Sequence, residues 1–345
     1  MSIEFNRYIV VSHFSPPGLG EIEGAQVIEF RRDPLTGRWS RINIERAKRP
    51  KQTPSGAMVL KELAERTRDN CPFCPERIET STPTFTLLPY RRLRRGDCWV
   101  FPNLYPFSKH HAVTVFTPHH YKPLDTITPE ELKAGINSAI EYLNDIQTID
   151  RSARYPLLAW NNLPPAGASI VHPHFQVLVD ERPPGIVSQE IGASEKYAES
   201  GGCFWEELLE SEEERGERLV KSSHSVSWIT SFSPIGNREV LAVFRGRSSL
   251  ADLTPREVEE FAEGLASVLR YYSESGSESL NMLFYSGPLG DDISGYFYLH
   301  ARIIARPAPS TLYVNDDGFL EKLCAEPIID MTPEDLAKVL KRYMK

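Results

Sequence analysis

The sequence predicts an α+β fold built from two related halves, and three observations predict it. The runs Thr128-Pro129-Glu130-Glu131 and Thr254-Pro255-Arg256-Glu257 lie 126 residues apart. Each reads as a helix start, with threonine at the cap, proline at the first helical position and glutamate three residues after the threonine. Each is preceded by an apolar run, Thr114-Val115-Phe116 in one case and Ala242-Val243-Phe244 in the other. Each is followed by a matching pair of extended runs, at 157–161 and 172–183 in the first half and at 281–285 and 298–307 in the second. His174 and His300 are again 126 residues apart, and Arg-Pro ends both final runs. A repeat of this kind is one supersecondary arrangement used twice. The halves implied are 1–190 and 191–345.

The elements follow in order. Residues 28–44 read as two short strands joined at Asp33-Pro34-Leu35-Thr36-Gly37, a turn by composition. Residues 51–66 start polar and become helical. The helix after Thr128 carries Leu132, Ile136, Ile140 and Leu143 on one face. Residues 175–179 are apolar enough for a strand. In an extended segment His172, His174 and Gln176 share a face, and Pro173, with no N–H to donate, marks an edge or a strand start. The stretch 195–218 is acidic and helix-prone, with Phe204 and Trp205 as apolar anchors. The helix after Thr254 lines up Val258, Phe261, Leu265, Val268, Leu269 and Tyr272.

Composition narrows the partners. The chain has 345 residues, 41% of them hydrophobic and 25% charged, which is ordinary for a globular protein with a sizeable core. A net charge of −8 argues against non-specific nucleic-acid binding. No apolar run approaches the ~18 residues of a membrane span. The start Met1-Ser2-Ile3-Glu4-Phe5-Asn6 lacks a basic region and an apolar core, so no secretory signal is expected. Five cysteines, with only Cys71 and Cys74 close together, do not make a disulfide framework, and a reducing cytoplasm is expected. Cys98, Cys203 and Cys324 read as buried small hydrophobes.

Two motifs carry chemistry. Cys71-Pro72-Phe73-Cys74 offers two thiolates to one tetrahedral metal, and two further ligands are needed. His119 or His120, and His172, are the candidates. A redox pair would need a thioredoxin-like context, which is absent; an unmetallated remnant is the other alternative. The second motif is His172-Pro173-His174-Phe175-Gln176, which presents imidazoles and a carboxamide to one site. A histidine nucleophile needs a shaped pocket and a second group to hold the phosphate it attacks, and this run offers both. A chance surface turn is the bland alternative.

The second motif resembles the H-P-H-x-Q signature of the galactose-1-phosphate uridylyltransferase family, a branch of the histidine-triad (HIT) superfamily. The block Phe30–Trp39 and the run Arg46-Ala47-Lys48-Arg49-Pro50 resemble that family's N-terminal segment, and Trp99-Val100-Phe101-Pro102-Asn103-Leu104-Tyr105 its base-binding wall. The resemblance implies a HIT-like fold in which each half is an antiparallel sheet flanked by helices. It implies His174 as the nucleotidylated residue, with Gln176 on the phosphoryl oxygens. It implies one structural Zn2+ on Cys71, Cys74, His120 and His172. Arg46 and Arg49 would meet phosphates, Asn103 and Tyr105 the nucleoside, Asn161 and Ser169 the nucleotide, and Glu321 the hexose. The chain departs from the family in places. Leu104 stands where an acid helps hold the nucleoside, and of the hexose-contacting segment at 315–321 only Glu321 matches. At the second metal site Glu190 and His300 remain, but Arg302 and Ser286 replace histidines, so that metal is expected to be absent. The implied activity is transfer of a nucleoside monophosphate between an NDP-hexose (UDP-glucose) and a hexose-1-phosphate (galactose-1-phosphate) by a homodimer. The alternatives are a phosphorylase of ADP-sugars or dinucleoside polyphosphates that uses inorganic phosphate, and a non-catalytic, zinc-stabilised nucleotide binder.

Overall fold

A computed structural model of the protein describes residues 3–15, 24–49, 57–310 and 317–344. Strands β1 (Arg7–Phe14), β2 (Gly24–Arg32) and β3 (Trp39–Ile42) come first, then helices α1 (Ala57–Arg68) and α2 (Ile78–Ser81). The first half proper is β4 (Leu93–Arg95), β5 (Cys98–Pro102), β6 (His110–Val115), α3 (Pro129–Ile149), β7 (Tyr155–Asn162) and β8 (His174–Asp180). Two helices follow, α4 (Gly185–Ala198) and α5 (Phe204–Arg215). The second half is β9 (Leu219–Ser222), β10 (Val226–Thr230), β11 (Val240–Phe244), α6 (Pro255–Glu274), β12 (Ser279–Tyr285) and β13 (His300–Arg306). The chain closes with α7 (Phe319–Cys324), β14 (Ile328–Ile329) and α8 (Pro333–Leu340).

The expected α+β architecture is present, and the strand order shows the repeat directly. One ten-stranded sheet runs β4-β5-β6-β8-β7-β12-β13-β11-β10-β9. The order from β7 outwards repeats the order from β12 outwards. Each half is a five-stranded antiparallel sheet, and the two join where β7 pairs antiparallel with β12, Asn161 opposite Asn281 and Ala159 opposite Leu283. Joining the edges in this way removes two rows of unpaired backbone groups.

Both expected helix caps form. Thr128 accepts from the N–H of Glu131 at 3.3 Å, and the Glu131 carboxylate accepts from the N–H of Thr128 at 2.9 Å. Thr254 and Glu257 repeat this at 3.3 and 2.7 Å. The two helices lie side by side on one face of the sheet, and Lys133 on α3 pairs with Glu259 on α6 at 2.9 Å, again 126 residues apart. Beneath them a single core joins Phe175, Val177, Leu158 and Trp160 to Met282, Phe284, Ala301 and Ile303. Each large side chain buried there contributes about 1.5–3 kcal/mol.

The opposite face carries different covers in the two halves. In the first half the Cys71–Cys74 knuckle packs against Phe101, Val113 and Val115. In the second, α4 and α5 cover Leu241, Val243 and Tyr285 with Val187, Phe204, Trp205 and Leu209. Phe204 and Trp205 are therefore the anchors that the sequence suggests.

The small sheet β1-β2-β3-β14 belongs to the second half in space, although most of it comes from the start of the chain. Buried Arg31 pairs with Glu334 at 2.8 Å, and the Ser40 and Ser233 hydroxyls meet at 3.0 Å. The turn between β2 and β3 forms as composition predicts, with Asp33 accepting from the N–H of Thr36 at 2.7 Å and Gly37 at φ 75°. Of the three remaining cysteines expected to be buried, only Cys98 is. Cys203 is half-buried, and Cys324 is exposed because the short helix α7 that it ends presents no buried face.

Candidate active site

The site is built on the knuckle-bearing face of the first half. The chain enters β8 through Pro164–Ala166 and a bend, with Gly167 at φ 87°, a left-handed conformation that favours glycine. His172 lies in that bend, and His174 opens the strand. The expectation that His172, His174 and Gln176 share one face therefore holds for His174 and Gln176, while His172 precedes the strand and turns to the knuckle.

Cys71, Cys74, His120 and His172 come together, all buried, with their ligand atoms within 4.8 Å of one another. His172 Nδ1 lies 3.8 Å from both Cys71 Sγ and Cys74 Sγ, and His120 Nδ1 lies 3.6 Å from Cys74 Sγ. Tetrahedral zinc, with bonds of about 2.3 Å to sulfur and about 2.0 Å to nitrogen, separates its ligands by about 3.3–3.8 Å. The far nitrogens are held: His172 Nε2 donates to the carbonyl of Thr117 at 2.8 Å, and His120 Nε2 meets the Thr67 hydroxyl at 2.9 Å. This turns both Nδ1 lone pairs towards the thiols, the arrangement that outer partners impose on metal-binding histidines. Burial and the neighbouring Cys71 push the Cys74 thiol up to about 12, and burial lowers His172 to about 4. Two thiols and two neutral imidazoles in one buried cluster fit a structural divalent cation, which would draw the thiols into their thiolate form. His119 is exposed, so of the two candidates it is His120 that joins the cluster.

His174 stands beside this cluster. Phe73, between the two cysteines, packs edge-on against its ring at 5.2 Å. His174 Nδ1–H donates to the carbonyl of His172 at 2.7 Å. Its Nε2 therefore carries the lone pair, and burial lowers its pKa, so the neutral, nucleophilic form is favoured. Gln176 is half-buried two residues on, with its Oε1 3.0 Å from Nε2 of His111. His111 is a site residue that the sequence reading did not single out. Its strand position was legible, but only the register that sets Val113 opposite Gln176 puts it there.

The other expected site residues divide. Asn103 lies 3.2 Å from His111 Nε2, and its Oδ1 accepts from the N–H of Tyr105 at 2.9 Å. Tyr105 is 82% exposed, which excludes a core-packing role. Asn161 Oδ1 accepts from Asn281 Nδ2 at 2.7 Å, and the same amide donates to the carbonyl of Ala166, tying the site to the second half. Ser169 is exposed on the loop leading to His172. Arg46 and Arg49 are exposed at the end of β3, and no contact among the described residues joins them to the His174 group. Glu321 is held by its own helix: its carboxylate accepts from the N–H of Gly318 at 2.9 Å and of Ile328 at 3.3 Å. It caps α7, and no contact among the described residues joins it to His174; Asn315 and Asp316 of the same expected segment lie outside the described residues.

The second half holds the counterpart of this site in closed form. His300 Nδ1–H donates to the carbonyl of Tyr298 at 2.9 Å, as His174 does to His172. There Nε2 faces Glu190 at 3.0 Å, and the Trp205 ring stacks over the imidazole at 4.2 Å. Arg302 sits between Glu190 and Glu239 at 2.8 and 2.7 Å. The Ser286 hydroxyl is engaged with the backbone of Leu250 and Gly287.

Comparison with known proteins agrees with this geometry. No family model matches the chain. An uncharacterized protein of Archaeoglobus fulgidus is 30% identical over 341 residues, 98% of each chain. Galactose-1-phosphate uridylyltransferase of Thermotoga maritima is 26% identical over 291 residues, 79% of this chain and 86% of that one. ADP-glucose phosphorylase of Arabidopsis thaliana is 28% identical over 221 residues, 56% of this chain and 60% of that one. Among solved structures, a crystal structure of an ADP-glucose phosphorylase from Arabidopsis thaliana with bound ADP-glucose superposes with a TM-score of 0.70 at 22% identity, covering 91% of this chain and 98% of that one, a likeness of fold. With a repeated half-sheet fold, equivalent histidines opening the matching strand of each half, and relatives that include a galactose-1-phosphate uridylyltransferase matched over 79% of this chain, the chain belongs to the galactose-1-phosphate uridylyltransferase family of the histidine-triad superfamily.

Proposed function

We propose that the protein moves a nucleoside monophosphate from a nucleotide sugar to an acceptor through a covalent intermediate on His174. The observation that carries this reading is the Nε2 lone pair of His174, set by the Nδ1–H bond to the His172 carbonyl and without a hydrogen-bond partner among the described residues, on the same strand face as Gln176. Nε2 attacks the α-phosphorus of an NDP-hexose, UDP-glucose in this reading. The P–N bond forms as the bond to the bridging oxygen breaks, and hexose-1-phosphate leaves. A hexose-1-phosphate, galactose-1-phosphate by family likeness, then attacks the same phosphorus and releases His174. The carboxamide of Gln176, the guanidinium groups of Arg46 and Arg49, and the Ser169 hydroxyl stabilise phosphoryl charge. Asn103, Tyr105 and Asn161 hold the nucleoside part. A carboxamide gives water no activating base, which suits transfer over hydrolysis. Zinc on Cys71, Cys74, His120 and His172 fixes the bend from which His174 projects. The arginines reach a site through a second copy of the chain in the proposed homodimer.

A second reading keeps the intermediate and changes the acceptor to inorganic phosphate. The capping role of Glu321 favours it, because the one matching hexose contact is already engaged by the backbone.

The test incubates the protein with labelled UDP-glucose or ADP-glucose and no acceptor. An acid-labile phosphoramidate on His174 is expected, and His174→Ala should abolish it while the protein stays folded. Undiminished labelling of that variant contradicts the mechanism. Chasing the labelled protein with glucose-1-phosphate, galactose-1-phosphate or phosphate then separates the readings. Transfer predicts kcat/KM values for the two sugar phosphates within roughly tenfold, about 1.4 kcal/mol; turnover with phosphate alone selects the phosphorylase.

A further inference from the structure

His111 is buried, and two amides meet it at one nitrogen. Its Nε2 lies 3.0 Å from Gln176 Oε1 and 3.2 Å from Asn103 Nδ2, while its Nδ1 is buried without a hydrogen-bond partner among the described residues. A neutral imidazole nitrogen either donates or accepts, so only one of the two contacts at Nε2 is a hydrogen bond at a time. The orientation of Asn103 is fixed, because its Oδ1 accepts from the N–H of Tyr105 and its NH2 group must face His111. If Nε2 accepted from Asn103, the proton would sit on Nδ1 as a buried, unpaired N–H. If Nε2 carries the proton, it donates to Gln176 at the shorter of the two distances, and only a lone pair is left unpaired at Nδ1. Orphaned buried N–H groups are rarer than under-used acceptors, which selects the second arrangement.

We propose that His111 is a positioning residue whose Nε2–H holds the Gln176 carboxamide oxygen inward, turning its NH2 group towards the phosphoryl group at His174 and leaving the Asn103 NH2 group to the nucleoside. The inference rests on the reading of Gln176 and Asn103 given above. It makes both amides donors to the ligand, as an anionic phosphate and an acceptor-rich base require. Phe107, edge-on to the imidazole at 4.4 Å, holds the ring in place.

Three measurements test it. The tautomer of His111 is read by long-range 15N–1H NMR on the histidine-labelled, ligand-free protein. A proton on Nε2 supports the inference, and a proton on Nδ1 overturns it, whichever reaction the protein performs. The second is the single-turnover rate of His174 labelling from labelled UDP-glucose. His111→Phe keeps the ring volume without the donor and should slow labelling by about tenfold to a hundredfold, the cost of a displaced phosphate contact. His111→Gln restores an N–H and a carbonyl near the same place and should label within about threefold of wild type. The third places His111→Phe on a Gln176→Ala background, where no further loss is expected because the partner is already gone. A His111→Phe rate within twofold of wild type, or losses that multiply in the double variant, would falsify the proposal. If His111→Phe does not fold, the tautomer and the His111→Gln rate still decide it. A wild type that never labels, yet carries the proton on Nε2, rejects the functional reading and supports this arrangement.

Discussion

His174 and His300 open equivalent strands and make the same hydrogen bond, yet only one has a nitrogen available for chemistry. The difference lies in what meets Nε2: Glu190 under the Trp205 ring in the second half, and no such pair among the described residues in the first. Burial alone would raise the Glu190 carboxyl, but the charge of Arg302 and the nearby His300 imidazole outweigh it and hold it at about 2, against an ordinary 4.5. A carboxylate depressed in the folded state contributes stability above its unfolded pKa and loses it as pH falls through the folded one. Glu190→Gln should therefore cost about 3 kcal/mol near neutral pH, with the gap to wild type narrowing as pH falls below about 4.5. Urea midpoints at several pH values check this, and a gap independent of pH would remove the charge from the account. At the knuckle, Cys71→Ser should lower the bound zinc from about one ion per chain. Metal analysis and thermal unfolding should both register that loss, and nucleotide preference should barely move. A wild type that is metal-free and fully stable would contradict the zinc site.

At the scale of elements, the helix starts at Thr128 and Thr254 were legible because a cap is a local device: threonine, proline and glutamate satisfy the first turn with no help from the rest of the chain. The depth to which α3 sinks was not. A Cβ on Gly135 would stand 2.7 Å from Phe116 Cβ and 2.8 Å from Phe175, so the helix touches the sheet at a position that admits no side chain. Gly192 on α4 has open space around it. Glycine to alanine in a helix gains about 1 kcal/mol where there is room and loses about 1–3 kcal/mol where it overpacks. Gly192→Ala should thus raise the urea midpoint and Gly135→Ala lower it. Two shifts of the same sign would mean that the helix–sheet contact is looser than described.

Over the whole molecule, the two half-sheets are fused by the β7–β12 pairing, so the division into 1–190 and 191–345 is proposed as the seam of a repeat within one core. No helix among the described residues is long and apolar enough to cross a membrane. The β1–β2 hairpin leaves Ile9, Val11 and Val27 together on one face at 61, 44 and 55% exposure. An apolar stripe on a sheet edge asks for a cover, and the proposed homodimer supplies one. Light scattering should give twice the chain mass, and Ile9→Lys with Val11→Lys should shift it towards a single chain. A wild type monodisperse at one chain mass would leave the stripe, and the arginines, without the proposed partner.

What the sequence by itself determined is what short spacings can encode. The Cys-x-x-Cys knuckle, the strand that carries His174 and Gln176, the paired caps and the Asp33 turn each act over a few residues, and each is present where the spacing put it, whereas His172 lies in the bend before that strand. Tertiary structure decided the rest, because those outcomes depend on which strand lies beside which. The register of β6 against β8 brought His111 to Gln176. The α4–α5 cover sealed His300, and the return of α7 to its own backbone took up Glu321. Of His119 and His120, adjacent in sequence, the path of the chain after β6 chose the one that faces the thiols. Local chemistry is written in neighbouring residues, but the availability of a lone pair, a carboxylate or a guanidinium is set by what packs across from it, and that is a property of the fold.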